Sequence, residues 1–231
     1  MITLLQINTV SDSITNPEIT EKTLSVIDLI TSGGIGGNLV MGALGILSIF
    51  AIYILIERYS TIKKASQEDE TFLKSIQNFV EAKDIAAAKT LCKNTDSPIS
   101  RMIEKGVNRI DKPMTDISAA IENQGKLEVF KMENNLANLA TISGAAPMIG
   151  FLGTVIGMIV AFHEMASAGG NIDVAMLSQG IYTAMVTTVA GLVVGIIAFI
   201  AYNYLVSKVD KVVFMLEART TEFLDLLHHN E

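Results

Sequence analysis

Cysteine is almost missing from this chain. Cys92 stands alone, which excludes an internal disulfide and any cysteine-rich metal site. It lies in a charged helical stretch and reads as an ordinary reduced, partly buried thiol. Histidine is nearly as scarce, and the terminal pair His228-His229 is too isolated to make a metal site. No nucleophile, phosphate-binding loop or paired-carboxylate constellation is present, so the sequence argues against an enzyme and gives no reason to expect a cofactor. The formal charge of −7 is modest and spread along the chain, so nothing suggests nucleic-acid binding. The N-terminus lacks a basic leader and a credible cleavage site, and is not read as a signal peptide. Strand-like alternation is missing between residues 57 and 133. What is missing over the longest distances is charge.

Residues 39–56 carry no charged side chain, residues 136–163 carry none before Glu164, and residues 181–205 carry none at all. Each run is near or above the ~20 residues an α-helix needs to cross ~30 Å of hydrocarbon. Glu57-Arg58 closes the first run at its water boundary. Within the runs, glycine, alanine, serine and threonine are mixed with large apolar residues. Apolar surface drives no association between helices in lipid, so close packing has to come from small residues and hydroxyls.

The small residues fall in register. Gly150, Thr154, Gly157 and Ala161 share one helix face, as do Ala184, Thr188, Gly191, Gly195 and Ala198. Gly153–Gly157 and Gly191–Gly195 are G-x-x-x-G pairs, a packing motif in apolar spans. Gly42 and Gly45 fit close helix contact in the first span. The threonines leave three readings open: back-bonding to their own helix, packing across helices, or lining a hydrated path. Intramembrane Asp, Glu, Lys or Arg is the usual mark of an ion path, and these spans have none, so any proton-bearing group has to come from another chain. His163 and Glu164 sit at a span's end, either as interfacial polar residues or as a pair titrating with external pH.

The expected organisation is all-α. Residues 1–38 form a polar tail with an amphipathic stretch around Leu24–Ile30, either a loose lead-in or an interfacial helix. Spans at 39–56, 136–165 and 181–205 follow, with a helical domain at 57–135, a turn at 166–180 and a C-terminal helix at 206–231. In the domain, apolar residues recur at helical spacing from Phe72 to Val80, Ile85 to Cys92 and Ile99 to Ile110. Asp84 is a plausible N-cap, and the clusters at 94–98 and 112–113 break the helices. From Met114 the pattern runs without a turn signal into Leu136, so the second span is expected to project as one helix. Asp173 is expected to cap a short helix leading to Gly180. The stretch 57–133 carries 13 Lys and Arg, the tail 3, the turn none and the N-terminal tail one. That asymmetry places the domain and C-terminus inside and the N-terminus outside.

GAAPMIGFLGTVIGMIVAF (144–162) followed by GIYTAMVTTVAGLVVGIIAFIAYN (180–203), with Glu57-Arg58 after the first span, resembles the ExbB/TolQ/MotA family of proton-channel subunits. The resemblance is specific in the last two spans and loose in the insert, and the three-span layout is that of the ExbB and TolQ branches. It implies a homo-oligomeric ring, a pentamer, in a bacterial inner membrane. The ring would enclose an ExbD-like single-span partner with an intramembrane Asp, and proton passage would reach a TonB-like protein and outer-membrane import. A TolQ-like role in the Tol-Pal envelope system, and a non-conducting membrane scaffold, are the alternatives. By position, Thr154 matches the hydroxyl of the family's G-T-V motif, Thr188 the hydroxyl of the third span and Pro147 the proline opening the packed region. Thr183 stands where many relatives have Glu. With Thr187 it could hydrogen-bond water or the partner's carboxylate. Gly150, Gly153, Gly157, Gly191 and Gly195 would let helices approach closely as the ring assembles.

Overall fold

The structure, a computed structural model, describes residues 34–66, 70–167 and 174–229, so residues 1–33 of the polar tail, with the stretch around 24–30, and Asp173 lie outside the described residues, while residues 34–38, expected as tail, are helical. Among the described residues every regular element is an α-helix: α1 (Gly34–Ala65), α2 (Glu70–Glu81), α3 (Ile85–Asn94), α4 (Pro98–Val107), α5 (Met114–Glu133), α6 (Leu136–Ser167) and α7 (Val174–His229). Three helical runs, Gly36–Ala65, Met114–Ser167 and Leu177–His228, are long and apolar enough to cross a membrane. Their apolar parts form one sheaf, in which α6 and α7 make the most extensive contact and α1 lies against both.

The short helices begin and end where local chemistry requires. α2 buries Phe72, Ile76 and Val80, one residue per turn on one face. It stops at Lys83, whose φ of 57° is left-handed, and the amides of Lys83 and Asp84 donate back to Val80 O (3.0 Å) and Phe79 O (2.9 Å). This pairing satisfies the last carbonyls of the helix. Asp84 then caps α3, its Oδ1 accepting from Ala87 N at 3.0 Å. Ser97 caps α4 in the same way, accepting from Ser100 N at 3.1 Å, with Pro98 in the first turn where no amide is needed. Cys92 is buried, and desolvation, with the charge of Glu104 adding to it, pushes its thiol up to about 12.

Two expectations about continuity change. α5 and α6 are not one helix, because the chain breaks at Asn134-Asn135 and Asn135 takes a φ of 65°. Asparagine adopts that conformation more readily than other residues with a Cβ, so a pair of asparagines is a turn signal without proline or glycine. Nor is there a separate short helix before the third span. Val174–Gly180 is the first part of α7, and Ala166 and Ser167 belong to α6, so helix occupies much of the stretch expected as a turn.

α7 is common to the whole molecule. Its apolar half packs on α1 and α6, while its C-terminal half sends Val209, Val212, Leu216, Phe223 and Leu227 into the bundle of α2–α5. Gly106 of α4 makes room for that spine, since a Cβ there would lie 2.9 Å from the Phe223 ring. At the junction of sheaf and bundle, buried Arg58 donates from Nη1 to the Lys131 carbonyl at 2.9 Å and pairs through Nη2 with Glu57. The first span is thereby fixed to the end of α5.

One carboxylate organises the polar side of the bundle. Glu128 of α5 is 2% exposed, and its oxygens accept from Arg101 Nε (3.0 Å) and Nη2 (2.8 Å), Gln124 Nε2 (2.8 Å) and Lys131 Nζ (2.9 Å). Arg101 also reaches Asp96 at 2.6 Å, so α4, α5 and the α3–α4 turn meet at one point. Burial alone would raise the Glu128 pKa. The hydrogen bonds and positive charges of Arg101 and Lys131 outweigh it and hold the carboxyl below its ordinary range. A depressed folded-state pKa stabilises the fold above the ordinary value of 4.5, and that contribution is lost as pH falls through the folded value. Glu128→Gln is therefore expected to cost about 1–3 kcal/mol at neutral pH and to flatten the acid limb of stability. Thermal melts of wild type and variant between pH 7 and 3 check this, and parallel acid limbs would exclude the assignment.

Candidate functional site

The seam between α6 and α7 is built on backbone contact. Gly150 and Gly191 face each other so closely that a Cβ on Gly191 would lie 2.9 Å from Gly150 Cα and 2.6 Å from Ala146 O. Only glycine allows two helix backbones to meet at that distance. The contact continues in both directions. A Cβ on Gly157 would meet Ala184 at 2.9 Å, one on Gly180 would meet Ala161 at 2.6 Å, and one on Gly195 would meet the ring of Pro147 at 2.5 Å. Pro147 has no amide, so Ser143 O loses its helix donor at the point where Gly195 lies beside it.

Close approach brings short side chains within reach of carbonyls across the seam. Thr154 Oγ1 of α6 donates to Ala184 O of α7 at 3.0 Å and is in hydrogen-bond contact with Thr188 Oγ1. Thr188 Oγ1 lies 3.2 Å from Gly150 O. Thr187 Oγ1 donates to Ala184 O at 2.7 Å and also lies 3.2 Å from Gly150 O. Three hydroxyls and two carbonyls thus stitch two helices together. With the Thr154 proton on Ala184 O, the Thr188 proton is shared between Thr154 Oγ1 and Gly150 O. The lone pairs left on the hydroxyl oxygens are acceptors, and no hydroxyl proton is left over for a further partner.

The four threonines do not share one face. Thr154 and Thr188 are half-buried on one edge of the seam. Thr187 is 1% exposed and turns toward Gly153 and Val40, and Thr183 is 8% exposed and turns toward Gly37 of α1. The Thr183 hydroxyl donates back to Gln179 O at 2.9 Å. Gly153 belongs to this inner side too, because a Cβ there would strike Thr187 Oγ1 at 2.5 Å and Val40 at 3.0 Å. His163 and Glu164 are exposed at the far end of α6.

Sequence reading placed the glycines in contacts that build a ring. The structure gives each of the five a neighbour within the same chain. Gly42 and Gly45, expected to mark helix contact, have nothing among the described residues of this chain within 4 Å of an added Cβ, whereas Gly36 and Gly37 lie against Ile156 and Thr183. Gly180, assigned to a turn, is a seam residue. Its signal was the 4-residue step to Ala184 and the 3- and 4-residue steps beyond. Tyr182 was also missed, and its hydroxyl is buried without a hydrogen-bond partner among the described residues.

The sequence profile of the MotA/TolQ/ExbB proton channel family matches residues 94–218, which contain α6 and all of α7 but its last turns. An ExbB homologue of Methanothermobacter thermautotrophicus is 27% identical over 80% of this chain, which spans 64% of that protein's length. The Tol-Pal system protein TolQ of Pseudomonas aeruginosa is 24% identical over 92% of this chain and 96% of its own. The biopolymer transport protein ExbB of Helicobacter pylori is 40% identical over 34% of this chain and 54% of its own.

The backbone contact makes a sharp contrast testable. Gly191→Leu is expected to abolish the folded, monodisperse protein in detergent, since bulk would separate α6 from α7 before any assembly. Gly42→Leu and Gly45→Leu are expected to leave the stability of the single chain within about 0.5 kcal/mol of wild type. Size-exclusion profiles and melts of the three variants decide it; a folded Gly191→Leu protein would show that the seam is not set by this contact.

Proposed function

The chain belongs to the MotA/TolQ/ExbB proton channel family, and on that premise we propose that it is the ring-forming subunit of a motor driven by the proton gradient. In this reading five copies surround an ExbD-like dimer in a bacterial inner membrane, and the motion is passed to a TonB-like protein that energises import across the outer membrane. The N-terminus is periplasmic, and the bundle α2–α5 with the C-terminal half of α7 is cytoplasmic, in keeping with the 13 Lys and Arg between residues 57 and 133.

One observation carries the reading: hydroxyls meet in a seam where residues 136–162 and 181–205 hold no Asp, Glu, Lys, Arg or His. The seam therefore offers polar contact without a proton-carrying group, and the partner's carboxyl is the carrier. Thr154 and Thr188, at the open edge, receive it. Because their protons are already engaged, Thr154's with Ala184 O and Thr188's between Thr154 Oγ1 and Gly150 O, they are best suited to accept from a protonated carboxylic acid. Thr183, at the place of the family's Glu, faces α1, and its part in the path is indirect.

The second reading is the TolQ-like one, favoured by the near full-length match to a Tol-Pal protein. Loss of the gene separates the two: failure of TonB-dependent uptake with normal division supports the first, and defective envelope constriction with normal uptake the second. A scaffold that conducts nothing would show no proton flux in vesicles with the partner present.

For the site itself, Thr154→Val with Thr188→Val is expected to stop energised growth at normal protein level, and the Ser pair is expected to restore it. The partner's Asp→Asn is expected to abolish uptake, and Thr183→Ala to reduce it only in part. Normal growth of the double Val variant would remove the two hydroxyls from the mechanism. A Thr183→Ala ring as inactive as the Asp→Asn complex would put α7's inner face into proton handling.

A further inference from the structure

A second polar site lies away from the seam, where the charge-free runs of α1 and α7 stop. A cavity of about 290 Å³ opens between these helices, lined by Tyr59, Ile62, Lys63, Ser66, Leu205 and Lys208. The α1 residues follow 3- and 4-residue steps and so share one face. Ile62 and Leu205 are buried and form an apolar floor. Lys63 and Lys208 stand over it from different helices. The rings of Tyr59 and Tyr204 stack at 6.4 Å between centroids, and Lys208 Nζ lies 5.5 Å from the Tyr204 ring centre.

Arg58, Arg101, Lys126, Lys131 and Arg219 have carboxylate partners. Among the described residues Lys63 and Lys208, like Lys74 and Lys93, have none, and what sets these two apart is that they line the same cavity. Two ammonium groups on opposite walls of one pocket repel each other, and a bound anion removes that repulsion. The depth of the pocket decides which anion. It begins three residues beyond Ile56 and at Leu205, the last residues of two charge-free runs, which is the level of the headgroups. Tyrosines there match the aromatic belt of membrane proteins, and long lysine stems can lie along apolar wall while the ammonium reaches the phosphate. Basic pockets between spanning helices at this depth hold acidic lipid headgroups.

We propose that the pocket formed by Tyr59, Lys63, Ser66 and Lys208 binds the phosphate of an anionic phospholipid, whose acyl chains lie along the exposed apolar faces of α1 and α7. The assignment does not depend on which way the spans are oriented or on what the seam does. It requires only that they cross a bilayer.

The test uses the full-length protein, delipidated in mild detergent and titrated with dioleoyl phosphatidylglycerol, dioleoyl phosphatidylcholine or inorganic phosphate, and read by native mass spectrometry. Phosphatidylglycerol is expected to bind in preference to the zwitterionic lipid and to resist millimolar phosphate. Lys63→Gln with Lys208→Gln is expected to weaken it roughly thirtyfold, the factor for about 1 kcal/mol from each lysine. Lys74→Gln with Lys93→Gln, in the bundle, is expected to change nothing. If the double variant does not assemble, Lys208→Gln alone is expected to weaken binding roughly fivefold. Unchanged binding in either variant would overturn the proposal. So would equal binding of the two lipids. Displacement of the lipid by inorganic phosphate would make this a phosphate site and not a lipid site.

Discussion

Everything in the membrane part depends on how closely α6 and α7 approach at Gly150 and Gly191. Lipid is as apolar as a leucine side chain, so no hydrophobic force holds two spans together, and association rests on dispersion and on polar contacts between backbones. Both rise steeply as the axes close. At the distance that glycine allows, a threonine hydroxyl is long enough to reach a carbonyl of the other helix, which is why Thr154 bonds to Ala184 O and Thr188 lies beside Gly150 O. A bulkier seam would move these oxygens out of range. The polar contacts are therefore consequences of the glycines. Pro147 fits the same logic, since its ring occupies the space that Gly195 leaves open.

The bundle is held by a different balance. There water is available to unpaired groups, and burial of Ile76, Ile103, Ile121, Phe223 and their neighbours supplies the driving force. Each such side chain contributes about 1.5–3 kcal/mol when fully buried. α7 belongs to both regimes. Its 56 residues extend about 84 Å at 1.5 Å per residue, far more than the hydrocarbon requires. The same helix meets α6 through glycine in one half and meets α2–α5 through large apolar side chains in the other. The α5–α6 path is interrupted at Asn134-Asn135, so α7 is the one uninterrupted helix joining the seam to the bundle.

Composition and spacing made the spans, the short helices, the cap at Asp84 and the small-residue stripes readable, because each depends on residues close in sequence. Four things were not readable. Periodicity shows that residues share a face but not what that face meets, so Gly42 and Gly45 looked like contact residues and meet nothing among the described residues of the chain. Thr187 and Thr188 look equivalent in a list, yet successive residues of a helix lie about 100° apart, and one points inward toward α1 while the other borders the open edge. The Asn134-Asn135 break was missed because both flanking patterns are apolar and helical. Only the left-handed tolerance of asparagine marks it. The pocket at Lys63 and Lys208 joins residues far apart in sequence and carries no local motif.

The hydroxyl bookkeeping at the seam bears on the form in which the proposed partner's carboxyl can occupy it. An ionised carboxylate accepts hydrogen bonds and has no proton to give. In apolar surroundings without a cation, its charge is strongly disfavoured against the neutral acid. The threonine cluster offers it neither a cation nor an uncommitted donor, since Thr154 and Thr187 donate to carbonyls and the Thr188 proton is shared between Thr154 Oγ1 and Gly150 O. A neutral carboxylic acid, by contrast, brings its own O–H and finds acceptor oxygens at Thr154 and Thr188. The arrangement therefore discriminates by protonation state without holding a titratable group of its own. In the proposed motor, the acid can rest against the ring only while it carries its proton, and it has to leave the seam for water to release it. That requirement links movement of the partner to transfer of the proton through the chemistry of two threonines.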